Sequence, residues 1–470
     1  MISSRTSWPI WATELAALVT GVAAFWLAAP HPVAAHGGPP LTRRLAFHPS
    51  DPDTLYAQAT FGLVFSRDHG MTWSLACEES IGWQTTENPH IVAAHDGAIV
   101  FGLFRGLYRS STFCDAELPE PSLERVPIIS LDRDPTSPMQ LYAATSLGSF
   151  ENVVYASGDD GLTWEPTADR FEVGELPEEI RVAPSAPRTL YVSGVRLEPR
   201  MGFVARSDDA GGSWTTFDIE LRGAITVLLG AVDPNDARRV LAYRRYTDEA
   251  DALMLSENGG ETWDDVASVS GDLSAVAFAP DGSRVWYGGE DKGLHVSSDG
   301  GRTFEPQFLD LTIRCLAARE GELWACADNF ADGFAVGVSL DGGNSFEPRF
   351  RYREILGQIE CAEGTLSAEV CPIAWRAIAD LFGIDAGLPP AADAGTGAEE
   401  AGPPRLDAGS GDVDLGSASG TDDEGGCGCR IGGHRADKQG PLAAGCVALA
   451  AYLWARRRGR SSKREGGQTQ

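Results

Sequence analysis

Six stretches of this 470-residue chain repeat one pattern, Ser-x-Asp/Asn-x-Gly-x-Thr/Ser-Trp/Phe. They contain Ser66, Asp68, Gly70 and Trp73; Ser157, Asp159, Gly161 and Trp164; Ser207, Asp209, Gly211 and Trp214; Ser256, Asn258, Gly260 and Trp263; Ser297, Asp299, Gly301 and Phe304; and Ser339, Asp341, Gly343 and Phe346. A hydroxyl two residues from a carboxylate could be a nucleophile beside a base, or the start of a cation loop. An EF-type calcium loop, however, needs alternating acidic ligands and a later Glu at fixed spacing, which these stretches lack. A catalytic site has no need of so many copies. A tight turn explains each residue type: the short polar side chain bonds nearby amides, Gly takes a positive φ, and the aromatic opens a strand and packs. The boxes are therefore expected to be structural.

Their starts are separated by 91, 50, 49, 41 and 42 residues, so the first gap spans two periods. A decayed copy, "GLYRSSTFC" at 106–114, fills it and brings the count to seven. Ahead of the boxes runs a second phrase with the same period, including "LAFHPSDPDTLYA" and "IRVAPSAPRTLYV": an apolar strand, a Pro/Asp turn and another strand. In the first unit, strands are expected at Leu45–His48, Thr54–Ala59, Gly62–Ser66 and Trp73–Cys77. Four short strands recurring every 40 to 50 residues predict an all-β, seven-bladed β-propeller with four-stranded antiparallel blades. Frequent Gly/Pro turns and β-branched or aromatic residues argue against helical repeats of similar period.

The pattern resembles the Asp-box (BNR) repeat of sialidases, sortilin-type receptor domains, xyloglucanase-type glycosidases and photosystem-II assembly-factor propellers. The resemblance covers roughly residues 41–357 and implies the fold without fixing an activity. A sialidase-like activity would imply an arginine cluster, a Tyr nucleophile and an aromatic-Arg-Ile-Pro motif near the start. The nearest string, "ERVPII" at 124–129, lacks the aromatic and lies elsewhere. Xyloglucanase-type enzymes pair two propellers, whereas one set of seven blades uses up this chain. A glycosidase needs two carboxylates about 5–9.5 Å apart, and 67 acidic residues nominate no pair. No Ser/His/Asp order, phosphate loop or zinc spacing stands out. The resulting expectation is a non-catalytic binding module, by analogy with sortilin-type domains, for a surface peptide, protein or glycan. A surface glycoside hydrolase is the alternative. No cofactor or metal is expected.

A net charge of −29 disfavours a nucleic-acid partner, because a phosphate backbone would be repelled. Residues 1–35 read as an export signal, with Arg5, an apolar run from Leu15 to Ala29 and a small-residue site at Val33-Ala34-Ala35. His36 would then open the mature chain, where amine and imidazole together suit copper; an incidental first residue is the preferred reading. Export places the nine cysteines in an oxidising compartment. Cys315 and Cys326 flank a hairpin, Cys77 and Cys114 follow boxes of adjacent units, and Cys361 and Cys371 enclose a short stretch before "PIAWRAIADLFGI". Disulfides are expected for those three pairs. The domains expected are a signal at 1–35, a monomeric propeller at 36–357, a disulfide-closed coda with a short helix at 358–384, and a disordered acidic linker at 385–426. A Cys motif, hydrophobic segment and basic tail follow at 427–470. "GGCGCRIGG", "PLAAGCVALAAYLWA" and "RRRGRSSKR" together resemble the MYXO-CTERM sorting signal of myxobacterial-type surface proteins. That resemblance implies envelope sorting machinery as a partner, processing near Cys427 and Cys429, and a C-terminal anchor in the membrane at the cell surface.

Overall fold

The computed structural model describes residues 39–83, 87–291 and 293–385. The chain divides into two units, 1–386 and 387–470, and every described residue belongs to the first. The expected export signal, linker, Cys427/Cys429 motif and apolar tail, as well as His36, lie outside the described residues.

Seven antiparallel sheets follow one another along the chain as the blades of a β-propeller. Blade 1 comprises Thr42–Phe47, Leu55–Ala59, Gly62–Ser66 and Trp73–Cys77. Its last two strands coincide with those expected from the sequence, and its first begins three residues earlier. The innermost strands of the other blades are Ile91–Ala93, Ile128–Arg133, Glu175–Val182, Thr226–Val232, Leu273–Phe278 and Cys315–Arg319. Each touches the innermost strands on either side, so the seven form a ring around an axial channel. Antiparallel order puts the boxes and the first turn of each blade on one face; the loops between second and third strands, and the links between blades, lie on the other.

Blade 2 departs from the pattern at its decayed box. It has three strands, and a single bridge between Arg109 and Glu117 stands where the fourth would be. Ser110 still holds the turn: it donates to the Asp115 carbonyl at 2.6 Å and accepts from Phe113 N at 3.1 Å. Phe113 packs 4.9 Å from Phe65 and 6.0 Å from Tyr56 of blade 1, so the aromatic wedge survives the loss of the carboxylate.

The wedge has the same job around the ring. Trp164 packs among Val92, Val100 and Leu107 of blade 2, Trp214 against Phe171 of blade 3, and Trp263, Phe304 and Phe346 each among residues of the preceding blade. Trp73 closes the circle: its ring lies 4.9 Å from Phe350 of blade 7, and its Nε1 donates to the Arg349 carbonyl at 2.8 Å. A buried aromatic of this kind removes on the order of 150–250 Å² from water.

The ring closes without a shared strand, since all four strands of blade 1 come from the N-terminal side. After blade 7 the chain crosses back, and Ile355–Gln358 adds a fifth, parallel strand outside Trp73–Cys77. The helix Leu366–Phe382 follows, capped by Thr365, whose hydroxyl accepts from Ala368 N, and ended by Gly383 at φ 67°. Trp375, Ile378 and Ala379 join the core formed with Phe61 and Tyr352.

This return path corrects two disulfides. Cys315–Cys326 forms as expected across its hairpin, with Cα atoms 4.8 Å apart. Cys77 pairs instead with Cys371, and Cys114 with Cys361, both at a Cα separation of 5.7 Å. The expected pairs, Cys77–Cys114 and Cys361–Cys371, joined cysteines near in sequence or period. The fifth strand carries the coda over blades 1 and 2, where its two cysteines meet one partner on each. The coda is therefore fastened to the propeller and not closed on itself.

Candidate functional site

The boxes place their polar atoms in fixed, mutually satisfied positions. In the first, Ser66 Oγ donates to Asp68 Oδ1 at 2.8 Å and accepts from Gly70 N at 2.8 Å; Asp68 then accepts from Thr72 N and Thr72 Oγ1 at 2.8 and 2.6 Å. The same four contacts recur at Ser157/Asp159, Ser207/Asp209, Ser297/Asp299 and Ser339/Asp341. In the fourth box Asn258 reverses one bond, its Nδ2 donating to Thr262 Oγ1 at 2.8 Å. Gly70 has φ 79° and Gly161 φ 81°, the left-handed region a Cβ resists. Hydrogen bonds from Ser345 and Ser339 pull the Asp341 carboxyl down to about 2. A carboxylate so held stays ionised near neutrality and is too weak a base to take the proton of the serine hydroxyl that donates to it.

The ionisable groups that converge lie in the channel. β-bulges interrupt five innermost strands, leaving Arg43, Ile129, Glu178, Gly230 and Ser274 unpaired. A bulge re-aims side chains. In blades 1 and 4 it brings consecutive charged residues, Arg43–Arg44 and Glu178–Glu179, onto the channel lining. Glu179 is the hub. Its Oε2 accepts from Ser130 Oγ at 3.0 Å and from Arg181 at 2.8 Å, and its Oε1 lies 3.4 Å from His90 Nε2. Burial pushes Glu179 up, but Arg181, His90 and Arg44 outweigh that and hold it below the usual range. Burial takes His90 down to about 3, with Arg44 adding to the effect. Glu178, one residue from the hub, is pushed by burial to about 7.

Ser130, His90 and Glu179 have the residue types of a hydrolytic triad but not its geometry. Ser130 Oγ is fully buried, accepts from Ile180 N at 3.2 Å and has the Glu179 carboxylate as the charged acceptor for its single proton. His90 Nδ1 stands farther off, at 3.3 Å. The three form a closed triangle that satisfies itself, leaving no activated hydroxyl.

Arg44 is different. It faces Glu179, Arg181 and Tyr243 across the channel, yet its guanidinium makes no hydrogen bond among the described residues and its buried Nε has no acceptor. Burial pulls its pKa down, and the attraction of Glu179 does not make up for it. Arg43, nearer the mouth, also has an unpaired buried Nε and only a loose approach, 4.0 Å, to Glu290, which Arg314 already holds at 2.9 Å. Two guanidinium groups thus line the channel with donors to spare. Among the described residues, no group of three or more His, Cys, Asp or Glu side chains gathers for a metal ion. A shallow depression of about 630 Å³ on the rim, lined by Arg200, Met201 and residues 220–224, holds no comparable cluster.

Period and box reasoning passed over Arg43, Arg44, His90, Glu178 and Glu179. One signal was available: "TRRLAF" and "EEIRV" put charge at the same place in their units, inside strands whose neighbours are apolar, and "SLDRD" puts it two residues later.

No protein-family description matches the chain, and no curated protein does. Solved structures share the fold at low identity. An ancestral GH74 enzyme superposes with TM-score 0.50 and 14% identity over 67% of this chain, which spans only 46% of that one. YCF48 bound to D1 peptide gives TM-score 0.37, with 14% identity over 67% of this chain and 82% of that one. The Hadza microbial sialidase Hz136 gives 0.37, with 14% identity over 58% of this chain and 71% of that one. The likeness at TM-score 0.50 bears on the propeller fold alone, and a fold does not fix an activity.

Proposed function

We propose that this chain is an exported binding module, held at the cell surface by its C-terminus, whose propeller channel receives a ligand without transforming it. The observation that carries the reading is the channel's asymmetry. Its catalytic-type groups, Ser130, His90 and Glu179, are committed to one another, while the half-buried Arg44 and Arg43 each keep a buried Nε with no acceptor. Such donors favour an anionic group on a peptide, protein or glycan, because a charge-assisted bond there replaces an uncompensated burial. The sorting-signal resemblance at 425–464 supports the surface location, and substituting Cys427 and Cys429 together should abolish C-terminal processing.

The test is a glycan and peptide array probed with the purified protein, each hit followed by an assay for product release. Binding without release, weakened about 10-fold or more by Arg44→Met, is the expected result. Binding with release overturns it.

Glycoside hydrolysis is the second reading, favoured by one observation. Glu178, pushed to about 7, adjoins Glu179, held low, and two carboxyls driven apart in pKa are what an acid and its partner require. Loss of product release in Glu178→Gln with binding intact would establish it.

A further inference from the structure

The C-terminal helix turns one apolar face to the propeller and keeps a second for solvent. Cys371, Ala374, Trp375, Ile378 and Ala379 form the buried face. Leu366, Val370, Ile373, Ala377 and Leu381 recur at intervals of four, three, four and four residues, the spacing of a single stripe down a helix. Three of them are open: Leu366 is 44% exposed, Ile373 61% and Leu381 57%. Leu356, on the added fifth strand that the helix packs against, is 70% exposed. Val370 and Ala377 are half-buried, Val370 packing against the Cys77–Cys371 cluster, so the open positions are Leu366, Ile373 and Leu381, seven and eight residues apart along the 17-residue helix, a regular spacing that scattered surface leucines of ordinary proteins do not show.

We infer that this stripe is the contact surface for a second copy of the same chain, the two helices pairing antiparallel about a two-fold axis near Ile373. The stripe is nearly the same read in either direction. Reversal about a point between Ile373 and Ala374 sets Leu366 opposite Leu381, and Val370 opposite Ala377. An isologous contact needs that self-complementarity. The charges agree: Glu369 and Arg376, both exposed on the helix, fall within reach of each other's counterparts across the axis and would form two symmetric ion pairs. A membrane surface is a poorer occupant, since the helix carries Glu369 and Asp380 against Arg376 and lacks the basic polar face that anionic headgroups attract.

The patch is modest. Four half-open aliphatic side chains expose on the order of 400 Å² in each copy, the size at which a surface patch marks a contact site. Doubled, this approaches the roughly 1,000 Å² total of a weak biological interface. A dissociation constant in the range of about 1–100 µM is therefore expected, too weak for a permanent dimer but within reach of copies crowded on one surface.

Sedimentation velocity on the full chain in non-ionic detergent, from about 1 to 200 µM, tests it. Wild type should pass from monomer to dimer. Ile373→Asp should remain monomeric with an unchanged melting temperature, because the residue is exposed. Glu369→Arg should weaken pairing by about 3-fold or more, and adding Arg376→Glu should restore it. A chain monomeric throughout overturns the inference, as does a dimer that Ile373→Asp leaves intact. None of these outcomes depends on whether the channel binds or hydrolyses a ligand.

Discussion

The two disulfides of the coda predict an unusual pattern of stability loss. Cys77–Cys371 closes a loop of 294 residues and Cys114–Cys361 one of 247, and the second loop is nested within the first. If one bond is removed, the other still closes the long loop, and the freedom regained is only that of the 47 residues by which the two differ. On the chain-entropy relation a 47-residue loop is worth about 4 kcal/mol, so Cys77→Ser with Cys371→Ser should cost about that much, and Cys114→Ser with Cys361→Ser much the same. Removing all four releases a loop of about 250 residues as well, worth about 5.5 kcal/mol, for a total of about 9.5 kcal/mol. The excess over twice the single loss, about 1.5 kcal/mol, is the signature of nesting. Equilibrium urea unfolding of wild type, the two pair variants and the four-Ser variant measures it, with the hairpin pair Cys315/Cys326 as a short-loop control: its loop of 11, worth about 3 kcal/mol, is too small a part of the two long loops to change their cost noticeably. Pair variants indistinguishable from wild type, or a four-Ser variant losing less than the two pair losses together, would refute the reasoning. Either would mean that the fifth strand and the helix hold the seam unaided.

Three further outcomes follow from the boxes and the channel. The box carboxylates at Asp68, Asp159, Asp209, Asp299 and Asp341 all titrate below their ordinary value. Their contribution is present above the unfolded value near 4 and is lost as pH falls through the folded values, so unfolding monitored by tryptophan fluorescence should sharpen between about pH 4 and 2. Glu178 has the opposite sign. Its folded pKa, about 7, lies above the unfolded value, so stability should decline as pH rises from about 4.5 to 7, by on the order of 3 kcal/mol, and Glu178→Gln should flatten that slope. Trp73→Ala, which empties the wedge between blades 1 and 7, should cost about 3–5 kcal/mol by chemical denaturation, whereas the same change at the partly buried Trp263 should cost less.

What the sequence discloses here is whatever repeats. Turn chemistry is local: Ser66 must find Asp68 and Gly70 within five residues, so six copies of one bonding pattern can be read as six turns and their period as a ring of blades. Even the failed copy was legible, since Phe113 keeps its wedge after the carboxylate is gone. The strap and the channel obey no period. Cys361 and Cys371 appeared near enough to pair, yet the partner of each is set by a parallel strand that crosses from the end of the propeller to its beginning, a contact spanning nearly 300 residues. Arg44 meets Glu179 because two bulges, in blades 1 and 4, turn adjacent residues toward one axis. A bulge adds one residue and leaves the apolar pattern of its strand almost unchanged, so the device that aims the site is the one the pattern hides. A propeller can therefore vary its channel while its boxes stay fixed: the boxes hold each blade's turn from the opposite face, and the inner strand can take a bulge, an arginine or a carboxylate without disturbing them.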